Sequence, residues 1–131
     1  MLSRDRRLNK ADFEIAFARG RQFRHPLLAL RCYRRAADEH DQLRAAFVVP
    51  KKLAKAAGRN RWRRRLRHWF YEILQLLPEN QDNMAKWNEC DLIFMLTAQG
   101  REAKPQEVRR AMSELWKKAL RSPGRNESSS G

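Results

Sequence analysis

Between Lys51 and His68 almost every position that is not apolar is basic, and there is no Asp or Glu in the stretch. It reads Lys51-Lys52, then Leu53-Ala54-Lys55-Ala56-Ala57-Gly58, then Arg59-Asn60-Arg61-Trp62-Arg63-Arg64-Arg65-Leu66-Arg67-His68. Like charges three and four residues apart on a helix repel, and solvated helix faces normally mix signs to relieve this. Charge left unmatched along a whole helix suits a polyanion, because each phosphate it neutralises releases condensed counterions. Arginine outnumbers lysine here, and a planar guanidinium can hold a phosphate bidentately or stack on a base. Asn60 is the exception. Asn is a modest helix former, so its amide either bonds locally to backbone or serves recognition. The whole chain follows the same trend, with 29 Lys and Arg against 15 Asp and Glu and a net charge of +14. That excess is the electrostatic footprint of a nucleic-acid binder.

Other chemistries find little support. His25, His40 and His68 are scattered, with no His/Cys or paired-carboxylate spacing that would build a metal or hydrolase site. Cys32 and Cys90 lie in or beside apolar runs without CxxC spacing and read as reduced structural thiols. No nucleotide-binding fingerprint is present. No apolar run approaches the length of a membrane span, and Met1 to Arg7 lacks an apolar region behind its charges. The expectation is a cytoplasmic protein with no membrane partner.

The elements that must carry the basic stretch can be read from periodicity. Lys10 to Arg19 is a short helix capped by Asn9 or Asp12 and stopped at Gly20, with Phe13, Ala16 and Phe17 on one side. Pro26 to Tyr33 alternates as a half-buried strand, Asp38 to Gln42 turns, and a second strand runs from Leu43 to Val49 before Pro50. From about Ala54 to Leu77, the residues Trp62, Leu66, Trp69, Phe70, Ile73 and Leu77 form one helical stripe that Pro78 closes. Pro78 to Glu89 reads as a loop. Asp91 to Thr97 is a continuous apolar strand buried on both faces. Pro105 to about Leu120 is a helix with Val108, Ala111, Met112, Leu115 and Ala119 inward. This order predicts an α+β fold, a small mixed sheet packed with helices as an α-β sandwich. Residues 1–121 form a single RNA-binding domain, and 122–131 form a disordered tail.

Lys51-Lys52, the Ala-rich turn, Arg59-Asn60-Arg61, Arg63-Arg64, Arg67 and Phe70 together resemble the signature of the protein subunit of bacterial ribonuclease P. Leu8, Asp12-Phe13, Phe17, Gly20 and Asp91 match in the same order, so the resemblance spans about Arg7 to Leu120. It implies a partner, the catalytic ribonuclease P RNA, and a substrate, precursor transfer RNA, whose 5′ leader the holoenzyme removes. The magnesium ions would be bound mainly by the RNA subunit, and no side chain of this chain would be catalytic. Lys51, Lys52, Arg59, Asn60, Arg61, Arg63, Arg64 and Arg67 would face the RNA. A cleft between the first helix and the sheet, including Phe13, Phe17 and Arg31, would hold the leader. On spacing alone Phe13 and Phe17 are the core stripe of a helix, and a wall of half-exposed rings could serve both purposes. The resemblance also implies a left-handed crossover between the strand ending at Val49 and the one opening at Asp91, against the right-handed rule of roughly 98%. The sequence departs from the family in four places. Ala54 and Ala57 stand where Gly and Val are frequent, Arg31 where some members have Tyr, and Thr97 where Arg is common. The connection from Pro78 to Glu89 is long for the family.

The leading alternative is a ribosomal or other structured-RNA-binding assembly protein without a cleavage role, against which only the order of the motifs speaks. A DNA-binding helix module lacks the turn-linked helix pair. An autonomous nuclease lacks acid–base groups or metal ligands.

Overall fold

A computed structural model of the chain describes residues 8–35, 43–75 and 90–121. The sequence readings for 1–7, the turn 38–42, Leu77, the loop 78–89 and the tail 122–131 lie outside the described residues.

Helix α1 (Lys10–Arg19) starts where Asn9 Oδ1 accepts the backbone N–H of Asp12 at 2.8 Å. It stops at Gly20, whose N–H donates to the Ala16 carbonyl at 2.8 Å. A Cβ at Gly20 would stand 2.5 Å from that same oxygen, so the tight stop depends on the missing side chain. Strand β1 (Arg21–Arg24) follows at once and pairs antiparallel with β2 (Leu28–Arg34). The sequence reading starts the second of these at Pro26. In the structure Pro26 and Leu27 instead make the turn, closed by His25 N–H to the Leu28 carbonyl at 3.1 Å.

Strand β3 (Arg44–Val48) leads through a 3-10 turn at Lys51–Leu53 into helix α2 (Ala56–Gln75). Ala54 stays extended, which is why the helix begins two residues later than its periodicity suggests. Strand β4 (Cys90–Leu96), a short helix α3 (Ala98–Glu102) and helix α4 (Pro105–Arg121) complete the described chain. The sheet order is β1-β2-β4-β3, with β4 antiparallel to β2 and parallel to β3. This is the mixed sheet of an α+β fold.

One face of the sheet carries Leu28, Leu30, Ala45, Phe47, Leu92, Phe94 and Leu96, all buried in one cluster with residues of α2 and α4. Trp62, Leu66, Phe70 and Ile73 come from α2, and Val108, Ala111, Met112, Leu115, Trp116 and Ala119 from α4. Phe70 sits at its centre, with ring centroids 5.7 Å from Phe47, 5.6 Å from Phe94 and 5.7 Å from Trp116. Each such aromatic pair adds about 0.5–1.5 kcal/mol to what burial alone gives. The five inward residues read from α4's periodicity are all fully buried. Its Trp116, also buried, was not among them. The opposite face, with Ala29, Arg31, Ala46, Asp91, Ile93 and Met95, is where α1 packs against β2 and β4.

Candidate nucleic-acid interface

The first part of the candidate interface is α2. Its stripe of Trp62, Leu66, Phe70 and Ile73 is buried, which fixes the rotation of the helix and turns Asn60, Arg61, Arg64 and His68 outward as an exposed crest. Arg63 and Arg67 lie half-buried on one flank and Arg65 on the other. Arg64 thus belongs with Arg61 on the crest, apart from Arg67.

The arginines are not equivalent. Arg59 donates from Nη1 to the Ala54 carbonyl at 2.9 Å, tying the start of the helix to the turn before it. Arg63 Nη1 donates to Asn60 Oδ1 at 2.9 Å. The local bond of Asn60 is thus to a side chain and not to backbone. Arg65 lies 5.2 Å over the Trp62 ring. Among the described residues nothing pairs with Arg61 or Arg64, and Lys51, Lys52 and Lys55, ahead of the helix, are exposed as well. The first turn of α2 has no acidic residue, so the positive end of the helix dipole adds to the same field. The first carboxylate along the helix is Glu72, which meets His68 and Arg109 at 3.6 Å each.

The second part lies on the other side of the sheet. Phe13 and Phe17 stack at 5.9 Å with an interplanar angle of 19°. Neither is core. Phe17 is 40% exposed, and the residue of α1 that is buried is Ala16, at 0%. Between Phe17 and the sheet is a cavity of about 70 Å³ lined by Gln22, Ala29, Arg31, Ile93 and Met95. Arg31 spans it, with its guanidinium carbon 4.8 Å over the Phe17 ring and Nη1 donating to the Gly20 carbonyl at 3.3 Å. Thr97 stands apart from this cleft. It caps α3, accepting the Gly100 N–H at 2.9 Å and donating to the Pro26 carbonyl at 2.6 Å.

Beneath α1 lies a charged group that the sequence reading did not assemble. Asp91, 1% exposed, receives Arg44 Nε on Oδ1 and Arg44 Nη2 on Oδ2, both at 2.9 Å. Arg35 donates to Asp91 Oδ1 and, at 2.9 Å, to the Cys90 carbonyl. Arg44 Nη1 reaches Asp12 of α1 at 2.9 Å. Burial pulls the Arg44 pKa down, but Asp91 and then Asp12 outweigh it and raise it. Nearby, the two cysteines share a hydrogen bond that pushes Cys32 up, together with burial, and pulls Cys90 down, helped by Arg34 and Arg35 against the effect of burial.

The arrangement is one of binding, with one open basic helix and one ring-lined cleft. A family profile described as Ribonuclease P matches residues 2–120. The chain belongs to the ribonuclease P protein family. It is the protein component of ribonuclease P, the accessory subunit of an RNA-based endoribonuclease of transfer RNA processing, and its partner is ribonuclease P RNA. The ribonuclease P protein components of Streptomyces avermitilis and Streptomyces bikiniensis are each 39% identical over 85 residues, covering 60% of this chain and 69% of theirs. The Staphylococcus aureus RNase P protein superposes with a TM-score of 0.69 at 19% identity, over 87% of this chain and 94% of that one. The Thermotoga maritima RNase P protein gives 0.68 at 21%, over 86% and 96%. At such identities the two structures speak for the fold.

Proposed function

We propose that the two surfaces divide the work of the ribonuclease P protein, α2 gripping the catalytic RNA and the cleft under α1 holding the single-stranded 5′ leader of precursor transfer RNA. The observation that carries the reading is the Phe13–Phe17 stack, two adjacent rings held half out of the fold beside a groove with its own guanidinium. Rings stack on any unpaired base, so such a wall accepts leaders of many sequences. Arg61 and Arg64, with Lys51 and Lys52, are the groups best placed for phosphates, while Arg59 and the Asn60–Arg63 pair hold the shape of the helix that presents them.

The magnesium of the reaction is assigned to the RNA subunit. Among the described residues no group of three or more His, Cys, Asp or Glu could hold a metal ion, and the carboxylates of Asp12 and Asp91 are turned onto Arg44. This chain's part is to neutralise phosphates, which lowers the concentration of divalent cation the RNA needs. The cytoplasm is the proposed compartment, and no described helix is long and apolar enough to cross a membrane.

Reconstitution with a bacterial ribonuclease P RNA tests the reading. The protein alone should cleave nothing, and adding it should restore leader removal at magnesium concentrations where the RNA alone is slow. Cleavage by RNA-free protein, or no gain on reconstitution, would refute it.

A further inference from the structure

Helix α1 forms one wall of the cleft, yet little apolar packing holds it there. In a helix of ten residues, Ala16 is the buried side chain, while Ile15 and Phe17 are 42% and 40% exposed. A helix this short is marginal alone, and helices normally owe their place to a buried apolar face. Polar ties from the sheet complete the seat of α1. Near its C-terminal end, Arg31 of β2 bonds to the Gly20 carbonyl and covers Phe17. At its first turn Arg44 of β3 bonds to Asp12.

The second tie has a built-in direction. A guanidinium is planar, with its donors in a fixed fork. Two of the three nitrogens of Arg44 are taken bidentately by Asp91, which Arg35 braces from the end of β2. The third nitrogen therefore has one place to point, and Asp12 is there. Asp91, Ile93 and Met95 lie on one face of β4, so the strand that aligns Arg44 also supplies the floor of the cleft.

We infer that Arg44 is a positioning residue for the leader. Locked to Asp91 and reaching Asp12, it sets how far the Phe13–Phe17 wall stands from the sheet, and so the width of the groove. This role rests on the cleft holding the leader, and the test must tell the two apart.

Asp12 is the place to cut, because Arg44 keeps Asp91 when Asp12 loses its charge. Three variants, Asp12→Asn, Asp12→Glu and Phe17→Ala, are reconstituted with the RNA subunit. Affinities for precursor and for mature transfer RNA are measured beside a thermal melt of each protein. Asp12→Asn should lower the preference for precursor over mature RNA by about three- to fivefold, the factor a partly exposed ion pair carries. Its mature affinity should stay unchanged and its melt should move little, and Asp12→Glu should recover most of the preference. A fall of both affinities in step with the melt would make the tie merely structural and overturn the inference. So would an unchanged preference in Asp12→Asn, or an Asp12→Glu variant that recovers nothing. Phe17→Ala decides the underlying reading. If it reduces the preference while Asp12→Asn does not, the positioning role falls and the leader cleft stands. If it leaves the preference intact, the leader cleft falls.

Discussion

Arginine is used in opposite ways on the two sides of the sheet. Under α1, Arg35 and Arg44 are 7% and 4% exposed and share Asp91 between them. On α2, Arg61 and Arg64 stand in solvent with no counter-charge among the described residues. The same side chain is a fold element where its charge is cancelled and, on the proposed reading, a ligand site where it is not. Taking charges out of water is expensive, so a buried guanidinium is tolerable only with its carboxylate in place. An exposed one costs the fold only mutual repulsion, which bound phosphate would remove.

The contrast is broken most severely at Asp91. Asp91→Ala removes the carboxylate that two buried guanidinium groups share, leaving Arg44 only Asp12 as a carboxylate partner, and should destabilise the protein by about 3–5 kcal/mol, read by urea or thermal unfolding, with RNA binding falling only as folded protein disappears. A smaller effect is expected at Phe17, which is half out of the core. Phe17→Ala should cost roughly 1–3 kcal/mol of precursor affinity while the melt changes little. A melt drop without a precursor-specific loss would return the ring to a packing role. The smallest effect on the fold is expected on α2. The double variant Arg61→Ala, Arg64→Ala should change stability by no more than about 0.5 kcal/mol. It should flatten the salt dependence of RNA binding by about 0.7–0.9 log units per log salt for each phosphate that is no longer neutralised. An unaltered slope would assign the phosphates to other residues of the helix.

Much of this was legible in the sequence. The stripe of α2 showed because a period of 3.6 residues survives a surface of any charge, and β4 showed because a run buried on both faces needs no alternation. β1 did not show. Arg21-Gln22-Phe23-Arg24 holds one apolar residue, and its strand character comes from pairing with Ala29 to Cys32 of β2. Nor did α3, which hangs on the Thr97 cap, a residue read as the end of the strand. The buried charge group was half visible. A single Asp opening an otherwise apolar strand demands a cation, but among 29 Lys and Arg only the parallel register of β3 with β4 selects Arg44 as its neighbour. Phe13 and Phe17 were ambiguous because spacing identifies a helix face and cannot say how deep that face sits.

The place of β4 in the sheet also governs the order of assembly. It is inserted between β2 and β3, pairing Leu28 with Leu96 on one side and Val48 with Met95 on the other. During synthesis the β1–β2 hairpin can form locally, but β3 has no hydrogen-bonding neighbour until β4 has been made, and pairings so distant along the chain form slowly. The arginine helix lies between them. It leaves the ribosome before the sheet it will pack on is complete, and so its apolar stripe is still uncovered when it emerges. On this topology the protein is most exposed to misassembly in the interval before β4 closes the sheet.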